Sequence, residues 1–486
     1  MNGEQRAYCQ RIAQGFLILA VASSSFAFEL DPLRTRPAVM TAGVNLPGDQ
    51  GGAACTLEPG GGLRVAAPTA GVLRDMTLTQ AVDLALCNNP QVRASWAAIK
   101  VQAAGIGEAR AAYLPTISVG SNRVRDRVWY PGEPFPEPTV QTGNTRSASL
   151  AWRLLDFGGR AANAASASAL LDSALASHDA ALQKVLSGVI GAYFDAQTAT
   201  ATLVARQKID ALALQTLQAT KRREARGAGT PSDTLQAITA QAKASLEQTR
   251  AQGSLQKSLS VLVYVLGINP AASSGLSLSA NLAEPQAALD KDINSWLEQA
   301  RSQHPAIVAA RAQLTAAQKK VTAAQSEGLP TLDLTGNFYQ NGRPSQGLPA
   351  LKTRETLVGL AVNIPLFDGF GRLYKVRGAQ ASVEQREADL QDVELQILAD
   401  VVKTQADAVS ALGNLSASAT LIAAAQDAVA SVQRKFDKGA VDILEMLSTQ
   451  SALSDAQQER IRCLAEWRSA RLRLLAAVGI LGRDGL

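Results

Sequence analysis

Aromatic side chains are scarce, only 5% of 486 residues. That argues against a bulky globular core and for long, closely packed helices rich in small residues. Histidine occurs twice, as His178 and His304, far apart and with no metal-like spacing to each other or to cysteine. No catalytic or metal constellation forms, so the chain reads as neither an enzyme nor a cofactor protein. "GIGEAR" (105–110) lacks the third glycine of a nucleotide loop. With 47 basic against 42 acidic residues the net charge is +5, which gives no case for nucleic acid. Beyond the N-terminus the longest apolar run is "VLVYVL" (261–266), far short of the ~20 residues of a transmembrane helix. Any membrane contact is therefore left to β-strands or to the surface. Cysteine numbers four; setting aside Cys9, the odd trio Cys55, Cys87 and Cys463 suggests no disulfide framework, and Cys87 and Cys463 read as unpaired. No cysteine stands in a lipid-anchor context.

What is present begins with an export signal over 1–27: Arg6 and Arg11, an apolar run from Gly15 to Ala22, and small residues before a cleavage point after Ala27. Residues 28–76 are rich in Pro and Gly and read as a flexible extension. The remainder repeats itself. "YLPTISVGSN" (113–122) returns as "GLPTLDLTGN" (328–337), and Pro90–Pro115 and Pro305–Pro330 both span 25 residues. "LLDFGGR" (154–160) answers "LFDGFGR" (366–372), and an offset of 212 relates Arg160 to Arg372, Gly227 to Gly439 and Gly267 to Gly479. Such register marks two tandem copies, 77–270 and 291–482, joined by a linker at 271–290.

In each copy the order is helix, strand pair, long helix, helix. The long helices are expected at about 158–225 and 370–436, uninterrupted by proline, with a seven-residue apolar period through Leu175, Leu182, Val189, Ala196 and Leu203. Second helices are expected at about 233–266 and 442–479. Period-two alternation predicts strands at about 116–123, 147–155, 331–340 and 356–365, with loops at 124–146 and 341–354. Pro115 and Pro330 mark the helix-to-strand boundaries, because proline cannot donate the next helical bond. Asp156, Gly158 and Arg160, with Asp368, Gly369 and Arg372, mark the return from strand to helix. Four strands cannot close a barrel, so several chains must pool theirs.

At this point the chain resembles the TolC family of outer-membrane efflux and secretion channels. The elements that carry the likeness are "LTQAVDLALCNNP", "ARAAYLPTISV", "SLAWRLLDFGGR", "LAVNIPLFDGFGR", "VQRKFDKGAVDILEMLSTQ" and "LLAAVGIL". The resemblance implies an α+β membrane protein: a homotrimer whose pooled strands make a 12-stranded barrel in outer-membrane lipid, continued by an α-helical coiled-coil tunnel across the periplasm. It implies a passive duct served by a periplasmic adaptor and an inner-membrane transporter, ABC or proton-driven. Type I protein secretion is the first expectation for its cargo and multidrug efflux the second. An alternative of another class is a soluble periplasmic coiled-coil scaffold or adaptor.

The family's entrance lies at the periplasmic helix tips, closed by polar contacts. Glu445, six residues after Gly439, stands at one of the family's carboxylate positions, Ser448 where a second would be, and Val441 in place of an arginine. Asp233, six after Gly227, falls where that arginine's partner would lie; Phe436 replaces a tyrosine, and Asp442 is a nearby substitute acid. For Asp233 and Glu445 a solvated first-turn acid, favoured by the helix dipole, is an equal reading. Gly227, Gly229 and Gly439 suit the tight reversals at the tips, where adaptors dock in the family.

Overall fold

The computed structural model describes residues 56–57, 63–64, 74–129, 139–269, 275–279, 292–343, 348–349, 352–438 and 440–482. The expected export signal, most of the extension and the linker, Cys9, Cys55 and Gly439 lie outside these residues. A short pair, β1 (Thr56–Leu57) and β2 (Leu63–Arg64), precedes the first copy. That copy comprises α1 (Leu78–Asn88), α2 (Pro90–Ala111), β3 (Thr116–Val128), β4 (Thr139–Leu155), α3 (Gly159–Ala225) and α4 (Pro231–Val265). Its counterpart comprises α5 (Ile293–Gln303), α6 (Pro305–Ser326), β5 (Thr331–Gln340), β6 (Arg354–Asn363), α7 (Gly371–Asp437) and α8 (Ile443–Val478).

The duplication holds in detail. Both α2 and α6 have 22 residues, and both α3 and α7 have 67. The described strands of the first copy run further than alternation indicates, so much of the expected 124–146 loop is ladder: Arg123–Val128 pairs with Thr139–Asn144. Arginine and asparagine occupy the positions where apolar residues would have continued the period, which hid these rungs.

By contact density the chain divides into two units. One, within 100–171 and 315–383, holds the antiparallel sheet β3-β4-β5-β6 with the adjoining helix ends. Paired residues share a face, and one face carries Ile117, Val119, Ala148, Leu150, Trp152, Leu332, Leu334, Phe338, Val358, Leu360 and Val362. Its opposite carries Thr116, Ser118, Ser149, Arg153, Asp333, Thr335 and Asn337. Ser118 and Ser149 share a hydrogen bond of 2.6 Å, and Arg153 pairs with Asp333 at 3.0 Å. A face so apolar yet exposed (Val119 80%, Val358 77%) is no protein core.

The second unit is helical. Leu186, Val189, Ile190, Leu262 and Leu266 form its first core, into which Met76 is drawn; Tyr193 Oη donates to Met76 O at 3.1 Å. A second core gathers Trp296, Ala300, Val401, Ala408, Trp467 and Leu474 around elements of the second copy. Kinks between short and longer helices repeat at Asn89–Pro90 and His304–Pro305. Each is backed by a glycine that ends a helix with positive φ, Gly267 (+71°) and Gly479 (+84°). Cys87 corrects the unpaired reading: it is disulfide-bonded, whereas Cys463 is free and buried; Cys9 and Cys55 lie outside the described residues.

Candidate functional site

Three places carry the functional geometry. The first is the strand-to-helix corner, built alike in both copies. Between Asp156 and α3 come two left-handed residues, Phe157 (φ 50°) and Gly158 (φ 95°); between Asp368 and α7 come Gly369 (φ 69°) and Phe370 (φ 68°). The order "FG" against "GF" differs, yet the pair of left-handed residues is kept. Asp156 Oδ2 accepts from Arg160 N at 2.7 Å and Asp368 Oδ2 from Arg372 N at 3.0 Å, satisfying orphan first-turn amides. Each arginine then clamps the corner. Arg160 donates to Arg153 O (2.6 Å) and Leu154 O (3.1 Å) and lies over the Tyr113 ring at 4.7 Å. Arg372 binds Asp368 (2.9 Å) and reaches Gly328 O at 3.4 Å. Phe157, Phe370 and Phe367 are left exposed at this level, as aromatic residues are at a membrane interface.

The second place is the sheet's apolar face with its two open edges. Neither β3 nor β6 has an outer neighbour among the described residues.

The third is the helix tips. Gly227 (φ +72°) closes α3, with Ala228 N donating to Arg223 O at 2.9 Å, and Gly229 follows in the same turn. Asp233 forms a capping box with Thr230: its carboxylate accepts from Thr230 N at 3.0 Å. Asp442 caps α8, accepting from Leu444 N at 3.4 Å, and Glu445 lies in that helix's first turn. None of the three acids forms an ion pair among the described residues. Ser448 donates to Glu445 O at 3.0 Å. Phe436 is buried with Val432, Ile443 and Met446. Over its ring, at 4.9 Å, sits Arg223, whose Nη1 also donates to Phe436 O at 3.5 Å. Arg223 belongs to "KRREAR" (221–226), one turn before the tip glycine.

Two more contacts tie the hairpin α3/α4 to α7/α8. Gln450 Nε2 donates to Thr216 Oγ1 at 3.1 Å, both buried, and Arg206 donates to Ser454 Oγ (2.8 Å) and Gln458 Oε1 (2.5 Å).

Residues 81–268 and 296–480 each match the outer membrane efflux protein family, one match per copy. The chain belongs to that family. Among its relatives, protein CyaE of Bordetella pertussis is 36% identical, with 86% of this chain and 87% of the relative covered. The alkaline protease secretion protein AprF of Pseudomonas aeruginosa is 24% identical over 83% of this chain and 84% of its own. Of solved structures, the outer membrane protein VceC of Vibrio cholerae superposes with a TM-score of 0.71 at 19% identity, covering 83% of this chain and 96% of that one. As an outer membrane efflux protein, the chain is an outer-membrane export channel.

Both histidines are packed: Ser95 Oγ meets His178 Nδ1 at 2.8 Å, and Ala306 N donates to His304 Nδ1 at 3.2 Å. Burial pushes each imidazole below its ordinary value, with Asp400 opposing weakly at His304. The folded state thus holds them neutral, while an unfolded chain takes up protons once pH falls below 6.5. Stability is therefore full above that pH and declines as pH drops through it. Thermal melting from pH 8 to 5 should show that decline, and His178→Gln with His304→Gln should flatten it relative to the parent; parallel curves would remove the imidazoles from the account.

Proposed function

We propose that three copies pool four strands each into a closed barrel of twelve, and that the chain serves as the outer-membrane duct for a protein substrate. The observation that carries this is a four-stranded sheet with one face apolar over its helix-proximal rungs and, among the described residues, two unpaired edges. In lipid, unpaired edge amides and carbonyls cost several kcal/mol each, and closure through other copies removes that cost. α7 supports the assembly: Leu395, Val402 and Val409 recur every seven residues and are 68%, 47% and 50% exposed in the single chain. That is a seam awaiting another helix.

A periplasmic adaptor and an inner-membrane transporter complete the route, the helix tips being the end that meets them. Protein cargo is favoured by the likeness to AprF, an alkaline protease secretion protein. Efflux of small molecules is the second reading, favoured by the family's own description. Loss of one secreted protein on deletion, without drug sensitisation, supports the first; the reverse supports the second.

Closure of the entrance is assigned to the ties between hairpins, with Glu445 lining the mouth. Purified from outer membranes, the protein should run as a heat-dissociable trimer and conduct ions in planar bilayers. Glu445→Ala should bring its cation preference toward unity, because a ring of carboxylates concentrates negative potential. Recovery of the mature chain wholly in the soluble periplasm would sink the channel reading.

A further inference from the structure

The apolar face of the sheet does not continue to its far end. Past the last apolar rungs, the same face of β3 presents Arg123, Arg125 and Arg127, in line with Ile117 and Val119. Arg146 of β4 and Arg354 of β6 join them, flanking Gln340 in one row. All five arginines are exposed, and none forms an ion pair among the described residues. Paired positions on this face include Ser121, Thr142, Asn144 and Gln340, and no carboxylate. The acids nearby point the other way: Asp126 takes Leu348 N at 3.1 Å, and Glu355 pairs with Arg343.

The spacing places this patch at a boundary. From Leu154 to Arg146 is eight residues of β4, or about 27 Å of strand at ~3.4 Å per residue. Barrel strands tilt by ~35–45°, so this length covers ~20 Å of an apolar band ~25 Å tall. Arginine therefore begins near the rim of the apolar band, on the end opposite the helices, and continues outward through Arg127. Five guanidiniums facing outward at a lipid surface are ill placed for cargo, which would meet the polar face. They are well placed for phosphate, which a planar guanidinium grips through two parallel hydrogen bonds.

We propose that Arg123, Arg125, Arg127, Arg146 and Arg354 form a docking surface for the phosphorylated headgroups of outer-leaflet glycolipid. This rests on the reading of the sheet as part of a membrane barrel. Successive arginines of β3 lie about 7 Å apart along the strand, so one headgroup bearing two phosphates spans neighbouring sites.

The test uses the full-length assembly in detergent, titrated with bis-phosphorylated lipid A and with the same lipid after phosphate removal, followed by native mass spectrometry. The parent protein should bind the phosphorylated form at least tenfold more tightly, and the preference should shrink at high salt. Replacing all five arginines by Gln should abolish the preference, whereas replacing them by Lys should retain much of it. A parent without preference, or a Gln variant that keeps it, overturns the proposal. Conductance of the same preparations in planar bilayers separates the two readings. A conducting parent without phosphate preference overturns the lipid surface alone, and a parent that cannot conduct overturns the barrel.

Discussion

Gly479→Ala is expected to destabilise the helical unit by about 3 kcal/mol. Two costs add. The residue sits at φ +84°, where a side chain costs ~1–2 kcal/mol. A new Cβ would also lie 2.8 Å from Pro305 Cδ and 3.0 Å from His304 Cδ2, atoms of rings that cannot swing aside. Gly267→Ala meets the same problem at φ +71°, with Asn88 O at 2.8 Å and Asn88 C at 2.9 Å, both backbone. In each copy the glycine lets a helix end back directly onto the kink between two others. Gly413 supplies the control, since it has nothing within 4 Å and lies inside α7. Gly413→Ala should be neutral or stabilising by up to ~1 kcal/mol. Thermal or urea melts of the three variants decide the matter. If Gly479→Ala melts with Gly413→Ala, close approach at the kink is not what this glycine provides.

Removing the ties between the two hairpins should open the resting channel. Arg206→Ala, Arg223→Ala and Gln450→Ala together delete the contacts to Ser454, Gln458, Phe436 and Thr216. A net ~1 kcal/mol for each tie totals roughly 3 kcal/mol. That shifts a closed–open equilibrium by on the order of a hundredfold if the open form lacks all three. Single-channel recording in planar bilayers should show a strong rise in open probability, and Arg206→Ala or Arg223→Ala alone a smaller one. An intact trimer with parental conductance would assign closure to other groups. Phe436→Tyr, which keeps the ring beneath Arg223, should leave the closed state unchanged.

Repetition made most of the architecture legible. Proline, the Asp-to-Arg corner and the glycines recur at fixed offsets because each solves the same backbone problem twice: stopping a helix, starting one, or backing onto a kink. Alternation revealed the strands only where one face needed to be apolar; beyond Val119 the face turns to arginine and the signal vanishes although the ladder continues. The tips were legible as turns and not as contacts. Asp233 and Asp442 serve their own helix ends, whereas Arg223 and Arg206 reach across to α7 and α8, and no local pattern announces a partner more than 200 residues away.

The open edges of β3 and β6 have a kinetic consequence. If three copies close the barrel as proposed, a chain that completed every internal contact would still be unfinished, since its last backbone hydrogen bonds would belong to other molecules. The final folding step is thus a collision between chains, with a rate that rises steeply with their concentration. At low synthesis the protein should accumulate as a folded-helix, unclosed-sheet form, so channel number should respond to expression more than proportionally.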